Sequence, residues 1–333
     1  MEQTIQEAAT AEDFSGVVSI TQNANERQDF AFGFAHRSLE VENTPATRFS
    51  MASGSKGMTA LAVMSLVEDG TLSLETTARS VLGKDLSLID DAVTIEHLLT
   101  HRSGIGDYLD EDDDWDVTDY VMPGSAHALH DIEDYLIWLD GRPQKFAPGT
   151  DFSYCNGGFN VLAIIAQRAS GIEFQELVQQ RVLAPAGMTE SGYLRSDELP
   201  GDAALGYLPI DGHDRTNVFH LPVRGGGDGG MYTTVADMER FWAAFFADAI
   251  VSAESRAAML DPRSDVPEEG ARYGMGFWRA EEGERTWLEG YDAGVSFRSA
   301  FDPSTSTTVT VLANTSEGAW PMIESAEELV GWS

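Results

Sequence analysis

The sequence predicts an α+β fold, in which one antiparallel sheet flanked by helices carries an inserted, mostly helical lobe. Three observations predict it. Near the start, "FSGVVSI" (14–20) and "DFAFGFAH" (29–36) alternate in polarity and are joined by the polar turn "TQNANERQ", the pattern of a hairpin. Towards the other end, "RTWLEG", "VSFRSAFD" and "TTVTVLAN" (307–314) alternate again. Between these stretches the apolar residues recur at helical spacing, interrupted by loops. Strands from both ends then share one sheet, and the middle forms the opposite wall of a cleft. No internal repeat or low-complexity linker divides the chain. The expectation is a single domain over 1–333, with a sheet-containing lobe of 12–55 and 230–333 and a helical lobe of 56–229.

Each helix has its own signal. Over 54–69, Ala60, Leu61, Met64, Leu66 and Val67 recur at helical spacing, and Gly70 follows as a stop. "TIEHLLTHRSG" (94–104) is a short helix with Thr94 as cap and Gly104 at its end. "GGFNVLAIIAQRASG" (157–171) is apolar enough to be buried and ends at Gly171. "TTVADMERFWAAFFAD" (233–248) is amphipathic behind Thr234, and the final "MIESAEELVGW" reads as a helix. "DYLDEDDDWDVTDY" (107–120) is too acidic for core. It reads as a solvated loop, with Tyr108, Trp115 and Tyr120 as anchors, that either gates a site or keeps the surface hydrated.

Composition narrows the function. Fifty-five acidic side chains face 21 basic ones, a net charge of −34, so nucleic acid is not an expected partner because phosphate binding needs basic patches. Acidity of this degree marks either disorder or adaptation to salt. With 10% aromatics and clear periodicity, we expect a folded protein of a salty cytoplasm, where screening relieves self-repulsion. No apolar run is long enough for a membrane span. The first residues, "MEQTIQEAATAEDFSG", lack the basic and apolar regions of a secretion signal, so a cytoplasmic location is expected unless a leader has been removed. A single cysteine, Cys155, excludes an internal disulfide and a cysteine-built metal site.

Several motifs fail on context. "GGGDGG" (225–230) fits a dinucleotide-binding pattern, but the preceding "FHLPVR" carries a proline and is weak as the required parallel strand, so it reads as a flexible loop. "GSKG" (54–57) lacks the residue order of a phosphate loop. His97 and His101 are four apart, as in a zinc protease, yet Leu98 stands where the glutamate is needed, so both read as structural. Ser53 and Lys56, one helical turn apart among Gly, Ala and Met at a helix start, are a candidate nucleophile and base. Taken alone, they equally suit an ordinary polar first turn.

Further blocks decide. About a hundred residues on comes "PGTDFSYCNGG" with Tyr154 and Asn156, preceded by "LLTHRSG" and followed by "GGMYTTVADMERF" and "LEGYDAGVSF". In this order and spacing, from about residue 12 to about 315, the chain resembles the serine β-lactamase and penicillin-binding-protein superfamily, in its class-C-like branch of esterases and D-amino-acid peptidases. The resemblance implies a β-lactamase/transpeptidase-like fold and no cofactor. It makes Ser53 the acylated nucleophile, Lys56 its base, Tyr154 the proton shuttle, and Asn156 a donor to the substrate's acyl side chain. Cys155 between them reads as small packing.

The third family motif departs from its pattern. Where a Lys- or His-x-Gly is usual, this chain has Leu288-Glu289-Gly290. Gly290 lets substrate lie against the backbone, and the Tyr291 N–H is the expected second oxyanion donor. On a strand Leu288 and Glu289 face opposite sides. With Leu288 in the cleft, Glu289 points away; a one-residue bulge would reverse them. Without the cation, anionic substrates should bind poorly. We therefore expect a serine hydrolase acting on short-chain esters or small amides. The alternatives are a β-lactamase, D,D-peptidase or D-aminopeptidase, with Arg298 or Arg224 as carboxylate anchor where one is needed, and a non-catalytic penicillin-binding-like sensor.

Overall fold

The computed structural model describes residues 1–23, 26–111 and 124–332. Its centre is an eight-stranded antiparallel sheet. The strands are β1 (Gly16–Gln22), β2 (Glu26–Phe32), β3 (Ser264–Val266), β4 (Ala271–Tyr273), β5 (Trp278–Ala280), β6 (Thr286–Asp292), β7 (Val295–Asp302) and β8 (Thr307–Ala313). They lie in the order β2-β1-β8-β7-β6-β5-β4-β3, so strands from both ends of the chain meet at β1 and β8, where Val18 stands opposite Val311. The expected first turn is tighter than "TQNANERQ" suggested. Pairing runs to Gln22↔Glu26, because Thr21 and Arg27 continue the ladder.

Alternation along the strands gives the sheet two apolar faces. Val18, Ile20, Val309 and Val311 meet α1 (Glu2–Ala11) and α6 (Ala319–Val330) on one face. The acidic start of the chain offered no more than a charge argument, yet it folds as α1 because Ile5 and Ala9, four apart, fall on one side and are buried. On the other face lie Val17, Phe297 and Leu312, packed with α2 (Lys56–Glu68) and α5 (Val235–Phe246) in the main core. Thr234 caps α5 by accepting from Asp237 N, and Trp242 is fully buried with its indole N–H on Ser299 Oγ at 2.8 Å. Burial of such a side chain is worth about 1.5–3 kcal/mol.

Helix α2 is buried from Lys56 to Leu66, as expected of a central helix that is apolar all round. It packs against α4 (Asn156–Ser170) in the helical lobe. Gly171, at φ 70°, closes α4 in the left-handed conformation that an L side chain resists. The short helix α3 (Ile95–Leu99) starts at Thr94, whose Oγ1 accepts from His97 N while His97 Nδ1 accepts from Thr94 N. The structural reading of His97 thus has a definite form. Among the described residues no helix is long and apolar enough to cross a membrane.

Candidate active site

The cleft between sheet and helical lobe has a volume of about 860 Å³, and Ser53, Tyr154, Asn156 and Gly290 all line it. Ser53 sits in a tight turn, Ala52–Ser55, that runs into α2. Ala52 is forced to φ 43°, a left-handed strain for an alanine that typically costs about 1–2 kcal/mol. The turn is walled on two sides. A side chain at Gly54 would come within 2.6 Å of the Phe297 ring, and one at Gly290 within 2.8 Å of Ser53 N and 2.9 Å of Gly54 N. Strand β6 therefore lies directly against the backbone of Ser53. Strand β5 pairs with β6 at Trp287 and Thr286, and the later stretch Gly290–Asp292 borders the cleft.

Lys56 is 2% exposed. Its Nζ lies 2.8 Å from Ser53 Oγ, 2.7 Å from Asn156 Oδ1 and 2.9 Å from the carbonyl of Asp228. This trio fixes what a neutral amine must do. An amide oxygen and a carbonyl can accept but not donate, so they take the two N–H groups and leave the lone pair facing the Ser53 hydroxyl. Loss of hydration lowers the Lys56 pKa from 10.5, against the opposing pull of Asp228, Glu111, Asp107 and Asp292.

Tyr154 completes the cluster. Its ring lies 4.8 Å from Lys56 Nζ, and it lines the cleft beside Ser53. Burial raises its pKa well above 10, so it stands as a neutral phenol. Asn156 opens α4. Asp107 caps this helix end by accepting from Asn156 N at 2.5 Å and Gly157 N at 2.8 Å, while Cys155 Sγ accepts from Gly158 N at 3.3 Å. Cys155 is therefore more than filler, and burial pushes its thiol well above 9, away from a nucleophile's range. Both amide hydrogens of Asn156 are engaged, one with Leu109 O and one with Glu111 Oε1, each at 3.0 Å. The expected donor to substrate is thus already occupied by a carboxylate that itself lines the cleft.

Three sequence expectations need correction. The glycine-rich loop is packed rather than free: Gly227 O accepts from Thr59 Oγ1 at 2.7 Å, Gly227 N donates to Asn160, and Asp228 holds Lys56. The acidic 107–120 stretch begins in the core, because Asp107 satisfies a helix start and Tyr108 bonds Asp228 Oδ2 at 2.5 Å. Trp115, Tyr120 and the rest of 112–123 lie outside the described residues. Leu288, expected to bind substrate, does not line the cleft. It is 2% exposed and packs on α2, where a side chain at Gly57 would meet its methyl at 2.5 Å.

The ladder through Leu288↔Ser299, Glu289↔Arg298 and Gly290↔Phe297 is regular, without a bulge. Glu289 takes the face opposite Leu288, bonds Arg298, and still reaches the cleft wall. Arg298 is held by Glu289 and Glu327, and Arg224 by Glu173 and the Tyr193 carbonyl. Neither arginine lines the cleft, so neither takes the place of a carboxylate anchor. Tyr291 points its hydroxyl at Glu317 Oε1, 2.8 Å away. Asp107, Asp228 and His101 were missed as site residues. Their one sequence signal was adjacency to blocks already singled out.

A family model described as beta-lactamase matches residues 1–329. The penicillin-binding protein from Bacillus halodurans has a similar structure, with TM-score 0.92, 36% identity, and coverage of 98% of this chain and 99% of that one. Penicillin-binding protein 4* of Bacillus subtilis is 29% identical over 280 residues, covering 79% of this chain and 59% of that protein. A D-aminopeptidase of Brucella anthropi is 28% identical over 281 residues, covering 80% of this chain and 49% of that protein. The chain thus spans about half to three-fifths of these two curated relatives. A match over nearly its whole length, on a fold that brings Ser53, Tyr154 and Asn156 to one cleft with Lys56 bonded behind Ser53, shows that the chain belongs to the β-lactamase family of serine hydrolases.

Proposed function

We propose that the protein hydrolyses small amides and esters through an acyl-enzyme on Ser53, and that its preferred substrates carry a free amine near the scissile carbonyl. Ser53 Oγ gives its proton to the lone pair of Lys56 and bonds the carbonyl carbon. The oxyanion is received where the turn at Ser53 and strand β6 come together, at the Ser53 and Tyr291 N–H groups. Tyr154 carries the proton to the leaving amine or alcohol. Water then repeats the sequence in reverse and frees Ser53.

One observation carries the amine preference. Asn156 spends its amide hydrogens on Leu109 and Glu111, and the cleft presents Glu111, Asp228, Glu268, Glu269, Glu289 and Asp292. Among the described residues no lysine or arginine lines it. An N-acylated substrate would find its usual donor occupied and an anionic one would meet like charge, whereas an ammonium group would meet Glu111. The similarity to a D-aminopeptidase agrees with this reading. Neutral short-chain esters use the same acylation chemistry without the extra contact, and Leu194, Leu221 and Val223 give the cleft apolar wall to receive them.

The test compares alanine p-nitroanilide with a free amine, its N-acetyl form, p-nitrophenyl acetate and a chromogenic cephalosporin, in wild type, Ser53→Ala and Glu111→Gln. All turnover should vanish with Ser53→Ala. Glu111→Gln should lower kcat/KM for the free amine about 10–100-fold, the worth of a charged hydrogen bond, and leave the acetate within about threefold. A wild type that prefers the N-acetyl form or the cephalosporin would sink the amine reading.

A further inference from the structure

His101 is buried, 1% exposed, and stands at φ 55°, a conformation that histidine adopts uncommonly. It grips the segment carrying Tyr154 at three points. Its carbonyl accepts from Ser153 N at 3.0 Å, and its Nδ1 accepts from Cys155 N at 3.0 Å. Its ring lies against the Tyr154 ring, with centroids 4.2 Å apart and 33° between planes. The residues on either side of Tyr154 are thus pinned by backbone bonds while its side chain is pinned by the ring. The far sides of the imidazole are closed by Phe159 at 5.0 Å, Tyr273 at 4.8 Å and Phe152 at 5.9 Å.

We propose that His101 is the positioning residue for Tyr154, holding the phenol in register with Ser53 and Lys56. This rests on the acyl-enzyme reading, in which Tyr154 moves the proton. An Nδ1 that accepts from a backbone N–H places the ring proton on Nε2 and requires a neutral imidazole. The surroundings enforce neutrality: burial, and then the charge of Lys56, push His101 well below its usual 6.5, and the other titratable groups against it, Tyr154, Tyr273 and Cys155, are all held protonated. A protonated ring would lose the Cys155 bond and set a second cation beside Lys56.

Two substitutions separate positioning from packing. His101→Asn keeps an acceptor on the same branch atom and tolerates the left-handed backbone, but loses the ring. His101→Phe keeps the ring and loses the acceptor. If His101 positions Tyr154 through the Nδ1 bond, His101→Phe lowers kcat on the order of 10–100-fold with KM little changed and shifts the pH profile of kcat, and His101→Asn retains more kcat despite a lower Tm. If His101 only packs, both variants lose Tm but keep kcat within about threefold and leave the pH profile where it is. That outcome would overturn the proposal.

In the wild type, 15N-histidine NMR should show Nδ1 unprotonated, Nε2 protonated and no titration of His101 around the usual 6.5. The opposite tautomer would overturn the proposal even where a variant fails to fold. Absence of Ser53-dependent turnover in the wild type would instead remove the acyl-enzyme reading.

Discussion

Lys56 works through subtraction. Two acceptors that cannot donate, Asn156 Oδ1 and the Asp228 carbonyl, leave its lone pair one direction, and loss of hydration favours the form that has a lone pair. On the proposed mechanism the base is deprotonated Lys56, so activity should be full above its folded-state pKa and be lost as pH falls through it. For a neutral ester, the rising limb of kcat/KM should lie below the ordinary lysine value of 10.5. Asp292, whose own carboxyl is pushed up to about 7 by loss of hydration, favours protonated Lys56 whenever it is ionised. Asp292→Asn should therefore move the limb to lower pH; a shift upward would mean that the limb does not report Lys56. Ser53 and Lys56 stood out in the sequence as a candidate pair one helical turn apart, whereas Tyr154 and Asn156 were singled out only by the resemblance of their blocks to the family. His101 and Asp228 were not, because a stacked ring and a backbone carbonyl leave no mark in residue type.

The strand β6 and the turn before α2 meet so closely that composition is dictated on both sides. Gly290 cannot carry a methyl group without striking the backbone at Ser53 and Gly54. Gly290→Ala should cost about 1–3 kcal/mol of stability through overpacking and, because the turn itself must move, reduce kcat/KM about 100-fold. Leu288 gives the contrasting result. It fills the space over Gly57, so Leu288→Ala should lose about 2–5 kcal/mol in urea unfolding, yet retain far more of its activity than Gly290→Ala. Equal activity losses would place Leu288 in the chemistry after all. The sequence located these strands and helices because period and capping signals are local. It misjudged the glycine-rich loop and the first residues of the acidic stretch, because Gly227 and Asp107 are buried by bonds to distant helices, which no local signal carries.

The whole molecule carries a net charge of −34. Many of its few cations are already paired at the surface, as Arg168 is with Asp85 and Glu133, and exposed pairs of this kind are worth roughly 0–1 kcal/mol each. Salt weakens those pairs, but it also screens the much larger excess of like charge, and the second effect should win. Thermal melting should rise from near-zero to molar potassium chloride; a Tm indifferent to salt would speak against adaptation to a salty interior. The acidic cleft adds a kinetic counterpart. KM for an ammonium-bearing substrate should rise with salt while that for p-nitrophenyl acetate stays nearly constant.

The closing of the sheet also sets an order of events. A ribosome releases Ser53 and Lys56 well before β6, which abuts the serine, and β8, which pairs with β1. Pairings so distant in sequence form late in folding. On the acyl-enzyme reading, the reactivity of Ser53 towards a phosphonate should therefore appear only once β6 has docked against its turn.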